Sequence, residues 1–213
     1  MKRALFKVDP QVGFCPGGNL AVPGGDQIVP FINQLPRYDI EIDSADWHPS
    51  NHKSFASSHP GKKPFLDTVM LNGVEQRLWP SHCVAGTADA QFVSGLRRGF
   101  FTVHKGMNAD YENYSPFFAN KPREPKQGEI LDQSGAVLPY DSLVDFLKSQ
   151  AVGEIDCCGL ATDYCVKAFA LDALENGFSV RLLLQGCRGV NVSPSDSDDA
   201  VEEMRKAGAK IIN

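Results

Sequence analysis

The sequence predicts a three-layer α/β/α domain built around a doubly wound parallel sheet. Three observations carry this expectation. Short apolar runs of strand length alternate with helix-period segments, the pattern of βα units feeding a parallel sheet. Residues 154–177, EIDCCGLATDYCVKAFALDALENG, show one such unit complete: apolar strand, tight turn, helix. The chain of 213 residues is 42% hydrophobic and has no internal repeat or linker, which suits one domain over 1–213 with a substantial core.

Within that unit, residues 155–160 are an apolar run holding Cys157 and Cys158, which read as packing in a buried strand. Thr162 offers a hydroxyl where a helix would begin. From there Val166, Phe169, Ala170, Ala173 and Leu174 fall at helical spacing, a stripe suited to lie on a sheet. Gly177 stands where a C-terminal cap is expected. Cys165 then lies in the first helical turn, where unpaired N–H groups and the positive dipole end favour a thiolate. Taken alone, this position suits either packing or chemistry.

From the N-terminus, residues 4–8 read as the first strand, ended by Asp9-Pro10. Ligands of parallel α/β sheets bind at the C-terminal ends of strands, so Asp9 is a functional candidate, with a turn-capping role as the alternative. Residues 14–25 are a Gly/Pro-rich loop lacking the spacing and lysine of a phosphate-binding loop. Asp26 can cap a helix carrying Ile28, Val29, Phe31, Ile32 and Leu35, closed by Pro36. Residues 38–44 form the second strand and lead into Asp46-Trp47-His48-Pro49-Ser50-Asn51-His52. Residues i and i+2 of an extended chain point the same way, so Asp46 and His48 project together, with His52 within a turn's reach. A carboxylate with imidazoles is a donor set for zinc, iron or manganese, but the spacing alone does not complete a site.

Residues 54–88 are rich in Pro, Gly and Ser without a clear helical period. A loop of that length in a compact domain is usually functional. It carries Trp79-Pro80-Ser81-His82-Cys83, where His82 is a further metal-ligand candidate, and His59, which reads as surface. Residues 89–97 form a weak helix candidate. Residues 100–103 form the third strand, and His104-Lys105-Gly106 after it sets a lysine at the C-terminal edge of the sheet. Residues 107–128 read as irregular, with Tyr111, Tyr114, Phe117 and Phe118. A helix starting at Asp141 carries Leu143, Val144, Phe146 and Leu147. After the 154–177 unit come a strand over 179–184, a loop over 186–197, a helix over 198–206 and a last strand over 209–212. Six strands result.

The formal net charge of −5 and scattered basic residues exclude a nucleic-acid footprint. The six cysteines do not make a disulfide scaffold, and MKRALFKVDP is too short for a signal-peptide core or a membrane span. The expectation is a reduced, cytoplasmic protein with no membrane partner, and a homo-oligomer is left open.

At this point the chain resembles the nicotinamidases/pyrazinamidases of the isochorismatase-like cysteine hydrolase superfamily. The matching pieces are DPQVGFCPGGNLAVPGGD, DWHPSNHKSFA, LWPSHCVAGT, VHKG with NYSPFF after it, and GLATDYCVKAFALDA with GCRGVNVSP after that. They occur in the family's order along nearly the whole chain. The resemblance implies a six-stranded parallel sheet and a triad of Cys165, Asp9 and Lys105. It also implies one divalent transition metal, zinc before iron or manganese, on Asp46, His48 and His82, with His52 a less firm fourth ligand. It further implies a cis peptide before Ala161, an oxyanion hole from the N–H groups of Ala161 and Cys165, and pocket walls from Phe14 and Trp79. One departure stands out: many relatives carry Asn-Asp where this chain has Val12-Gly13.

The activity so implied is hydrolysis of nicotinamide, and of pyrazinamide, to the acid and ammonia through a thioester on Cys165. Asp9 would act as general base and then acid, and the metal would hold the pyridine nitrogen. Two rivals remain at this stage. One is an amidohydrolase for another small amide, which would need no pyridine-binding metal. The other is a non-catalytic metal- or ligand-binding protein or a thiol redox sensor, against which the lack of a CxxC pair counts.

Overall fold

The computed structural model describes residues 1–117 and 129–213. Phe118 and the rest of the expected irregular stretch as far as 128 lie outside the described residues. The strands are β1 (Lys2–Val8), β2 (Ile40–Asp46), β3 (Thr68–Leu71), β4 (Val74–Arg77), β5 (Phe101–Lys105), β6 (Glu129–Asp132), β7 (Val152–Leu160), β8 (Ser179–Arg188) and β9 (Lys210–Ile212). The helices are α1 (Ile28–Gln34), α2 (Leu143–Ser149), α3 (Lys167–Glu175) and α4 (Asp196–Ala207).

The main sheet has seven strands in the order β6-β5-β2-β1-β7-β8-β9. The six expected strands are all present and pair in parallel. The seventh, β6, runs antiparallel to β5 at the edge, a common addition to a parallel sheet. The helices flank the sheet; Phe169 of α3, for example, stacks on Phe6 of β1 at 4.1 Å between ring centroids. Val8, Leu5 and Phe6 of β1 and Ile155, Cys157, Cys158 and Leu160 of β7 are buried. A strand covered on both faces reads as a continuous apolar run, which is why these two were legible.

Chain order reverses beside β1: β2 and β5 lie on one side, β7 and β8 on the other. Such a switch point opens a crevice at the carboxyl ends of the strands. Asp9 follows β1, Asp46 ends β2, Lys105 ends β5 and Ala161 follows β7. Four adjacent strands therefore deliver their last residues to one place.

Several local expectations are corrected. The 54–88 loop contains the β3–β4 hairpin, turned by Asn72-Gly73 with φ of 50° and 82°. Asn-Gly is the pair such two-residue turns prefer, but its flanking strands are short and mostly only half-buried, so the alternation was weak. The helix expected over 89–97 is absent. Only a 3-10 turn, Ala88–Ala90, forms, because the following residues are extended: Val12 N donates to Gln91 O at 2.8 Å and Val93 N to Pro10 O at 3.0 Å. Asp26 lies in a 3-10 turn and does not cap α1. The cap of α2 is Ser142, whose hydroxyl accepts from Asp145 N, rather than Asp141. Strand β8 continues through Arg188 and takes in the start of the expected loop. Among the described residues, no helix is long and apolar enough to cross a membrane.

Candidate active site

Lys105 is the hub of the strand ends. Its side chain is fully buried, and Nζ pairs with Asp9 Oδ2 at 3.0 Å and with Asp46 Oδ1. It also donates to Cys165 Sγ at 3.4 Å and to Asn113 O at 3.3 Å. Asp9 leaves β1 with φ of 45°, and its Oδ1 accepts from Ser44 Oγ at 2.7 Å. The Leu160–Ala161 peptide is cis. Cys165 follows in a π-turn, Thr162–Val166, which precedes α3. Asp9, Asp46 and Cys165 have ligand atoms within 4.8 Å of one another, and the ammonium of Lys105 pairs with all three.

Two carboxylates and a thiol thus share one buried ammonium. Burial would lower the pKa of Lys105, but Asp46, Asp9 and Cys165 hold it well above its usual value, so it stays charged and is no general base. Burial would raise Asp46, yet Lys105 and then His48 draw it well below the usual carboxylate range. Burial pushes Asp9 up to about 6, against the pull of Lys105 and with a push from Asp46. The Cys165 thiol is driven well above its ordinary value by burial, with Lys105 opposing and Asp9 and Asp46 adding to the rise. This runs against the thiolate that the helix start alone would favour. Loss of hydration and two nearby carboxylates outweigh the helix start and the opposing charge of Lys105.

Asp46, His48 and His82 present ligand atoms that also lie within 4.8 Å of one another. His48 Nε2 is 3.6 Å and His82 Nε2 3.8 Å from Asp46 Oδ2. Each ring's Nδ1 meets a backbone carbonyl at 2.9 Å, Gly106 O for His48 and Pro80 O for His82. That contact turns both Nε2 lone pairs toward the carboxylate, the usual outer support of a metal-binding histidine. His48 Nε2 is buried with no hydrogen-bond partner. One carboxylate, two oriented imidazoles and an orphaned buried nitrogen fit a divalent transition metal. Gln11 braces the set: Asp46 N donates to Gln11 Oε1 at 2.8 Å, and Gln11 Nε2 donates to Asp46 O at 2.9 Å.

His52 lies outside this trio. Its ring sits 4.4 Å from that of His48, but Nδ1 meets Ser54 Oγ at 2.8 Å and accepts from Ser54 N at 3.2 Å, while Nε2 meets Tyr111 O at 3.0 Å. Burial, then the neighbouring His48, lowers its pKa to about 4, so it is neutral.

A pocket opens over the strand ends, with Phe14, Leu20, Trp79, Tyr114, Tyr164 and Val190 as walls, Ala161 and Cys165 at its base, and Asp46, His82 and Glu112 beside them. Trp79 stands edge-on to Tyr164 at 4.8 Å and donates from Nε1 to Tyr114 Oη at 2.9 Å. The sequence reading missed Gln11, Ser44, Glu112, Asn113, Tyr114 and Tyr164 as parts of the site. Tyr114 and Asn113 stood in the NYSPFF motif, Gln11 in DPQ and Tyr164 in GLATDYC, so their motifs were the signal; Ser44 and Glu112 had none.

The Val12-Gly13 departure has a local reason. A Cβ at Gly13 would come within 2.7 Å of both Asp89 Oδ2 and Cys83 Sγ. Asp89 fills that space, accepting from Cys83 N at 2.7 Å and from Asn19 N at 3.0 Å. Position 13 therefore has no room for a side chain while Asp89 occupies it.

An isochorismatase domain model matches residues 135–213. The nicotinamidase of Escherichia coli (strain K12) is 42% identical over 98% of this chain and 93% of its own length. Among solved structures, a nicotinamidase/pyrazinamidase of Acinetobacter baumanii superposes with a TM-score of 0.85 at 36% identity, covering 100% of this chain and 96% of that one. A pyrazinamidase of Pyrococcus horikoshii, solved in complex with zinc, superposes with a TM-score of 0.73 at 33% identity, covering 100% and 99%. With likeness of this degree running through almost the whole of both chains, the chain belongs to the nicotinamidase/pyrazinamidase family of isochorismatase-like hydrolases.

Proposed function

We propose that this chain hydrolyses nicotinamide to nicotinate and ammonia, with Cys165 as nucleophile, Asp9 as proton carrier and Lys105 as fixed positive charge. The observation that carries the reading is one pocket lined by Cys165, Asp46 and His82, with the lysine-bridged Asp9 beside Cys165 and His48 completing an oriented Asp-His-His trio. As Cys165 Sγ attacks the amide carbon, its proton passes to Asp9. Lys105 supports the sulfur as it gains negative charge. The oxyanion is held by the N–H groups of Ala161 and Cys165, where one such donor is worth about 10²–10³ in rate. Asp9 returns the proton to nitrogen, and ammonia leaves a thioester on Cys165. Water, giving its proton to Asp9, then cleaves that thioester and restores the thiol.

Asp46, His48 and His82 would hold one divalent metal, with zinc the proposed ion. When bound it supplies a Lewis-acid site suited to a pyridine nitrogen. Phe14 and Trp79 flank the ring, and the carboxamide is thereby directed to Cys165. Pyrazinamide carries an equivalent ring nitrogen and should be accepted.

The direct test is ammonia release from nicotinamide by purified protein, with and without chelator. Release should be robust, and stripping the metal should raise KM by roughly tenfold or more. Full activity with unchanged KM in metal-free protein would remove the metal from the reading.

The pH profile gives a second expectation. Asp9 must be ionised to accept the thiol proton, and its pKa lies at about 6. With zinc saturating, kcat/KM should fall as pH drops through that value and level off above it. A profile flat from pH 5 to 8 would show that Asp9 is not the base.

A further inference from the structure

We propose that Glu112 is an outer-sphere partner of the metal centre, accepting a hydrogen bond from water in the metal's coordination shell and strengthening metal binding. The proposal rests on the metal reading above and extends it to a residue outside the ligand trio.

Glu112 is on the loop after β5, and its side chain is only 7% exposed. Oε1 accepts from Asn113 N at 3.0 Å. Oε2 is buried with no hydrogen-bond partner. An ionised carboxylate is acceptor-only, and a buried one left unpaired is strongly unfavourable, so a donor is called for.

The nearest imidazole cannot be that donor. His52 Nδ1 lies 4.0 Å from Glu112 Oε2, but it already accepts from Ser54 N. The proton of His52 is on Nε2, which faces Tyr111 O. His52 packs on His48, with ring centroids 4.4 Å apart, and Glu112 lines the same pocket as Asp46, His82 and Cys165. The free oxygen of Glu112 therefore belongs to the histidine side of the pocket. The substrate's amide N–H₂ must lie over Cys165 and is poorly placed to serve it. Three protein ligands leave coordination positions for water, and coordinated water is a strong donor to a carboxylate. Outer-sphere carboxylates of this kind support metal affinity and are worth about 10–100-fold.

The test measures zinc affinity rather than turnover. The full chain is stripped, then titrated with Zn²⁺ against a chromophoric chelator at pH 7, for the unaltered protein, Glu112→Gln and Glu112→Asp. Glu112→Gln keeps the shape and removes the charge; it should bind Zn²⁺ about 10–100-fold more weakly, with an unchanged melting temperature in chelator. Glu112→Asp keeps the charge and should recover much of the affinity. If Glu112→Gln fails to fold, Glu112→Ser takes its place with the same expected loss. Zinc binding by Glu112→Gln within about twofold of the unaltered protein overturns the proposal and leaves the metal site standing. A raised KM with unchanged zinc affinity would overturn it in favour of a direct substrate contact. If the unaltered chain binds no zinc, the metal reading fails and this proposal falls with it.

Discussion

Cys165→Ala is expected to reduce ammonia release from nicotinamide by about 10⁴-fold or more while leaving zinc binding intact. The size follows from the mechanism's dependence on one atom. Without the sulfur no thioester forms, and removal of a covalent nucleophile costs about as much as removal of the whole catalytic group. The sparing of zinc follows from the geometry. The metal trio is built by the end of β2, the segment just after it and the 54–88 loop, and its outer support comes from Gly106 and Pro80, not from the turn that carries Cys165. Stability should change little or improve, because the variant deletes a buried thiol that shares one ammonium with two carboxylates. Turnover and zinc affinity measured on the same preparation decide it. Persistent ammonia release would remove Cys165 from the chemistry, and loss of both properties together would point to a folding defect.

Lys105→Met is expected to be the most destabilising single change in the site. It leaves Asp9 and Asp46 buried side by side without the ammonium that pairs with both. Breaking a buried ion pair by removing one partner costs about 3–5 kcal/mol. The cost should depend on pH in a definite direction. Asp9 already titrates at about 6, with Lys105 holding it down, so its folded pKa rises further in the variant. A carboxyl with a raised folded pKa binds its proton more tightly folded than unfolded. Its contribution to stability is full below the unfolded value and is lost as pH rises through the folded one. The deficit relative to the unaltered chain should therefore be smallest near pH 4 and grow toward pH 8. Urea midpoints in chelator across that range measure it. A deficit that does not vary with pH would show that the lysine acts by packing rather than by charge.

The sequence revealed most where the chain is covered on both sides. Strands β1 and β7 are apolar enough to be read directly, and the α3 stripe of Phe169, Ala170 and Ala173 is buried as its spacing requires. Strand β6 and the β3–β4 hairpin escaped because they are short, edge-lying or exposed, and carry little periodic signal. Residues of the site that sit in compact motifs, such as Asp46 and His48, were visible because neighbours in sequence stayed neighbours in space. The electrostatics were not visible. Cys165 by its position at a helix start suggested an anion, whereas its real surroundings are set by Asp9, Asp46 and Lys105, which approach from three other strands. Ser44 and Glu112 were hidden for the same reason, since nothing local distinguishes a serine in a strand or a glutamate in a loop.

The delivery of site residues by four adjacent strands also bears on how activity appears during folding. Asp9, Asp46, Lys105 and Cys165 are drawn together only when β1, β2, β5 and β7 are paired in register. Each pairing closes a long loop of chain, and parallel pairings of that kind are slow because the entropy is lost before the contact is gained. No short piece of the chain contains a working fraction of the site. Regain of catalysis after denaturation therefore reports the last of these long-range closures rather than early collapse or helix formation.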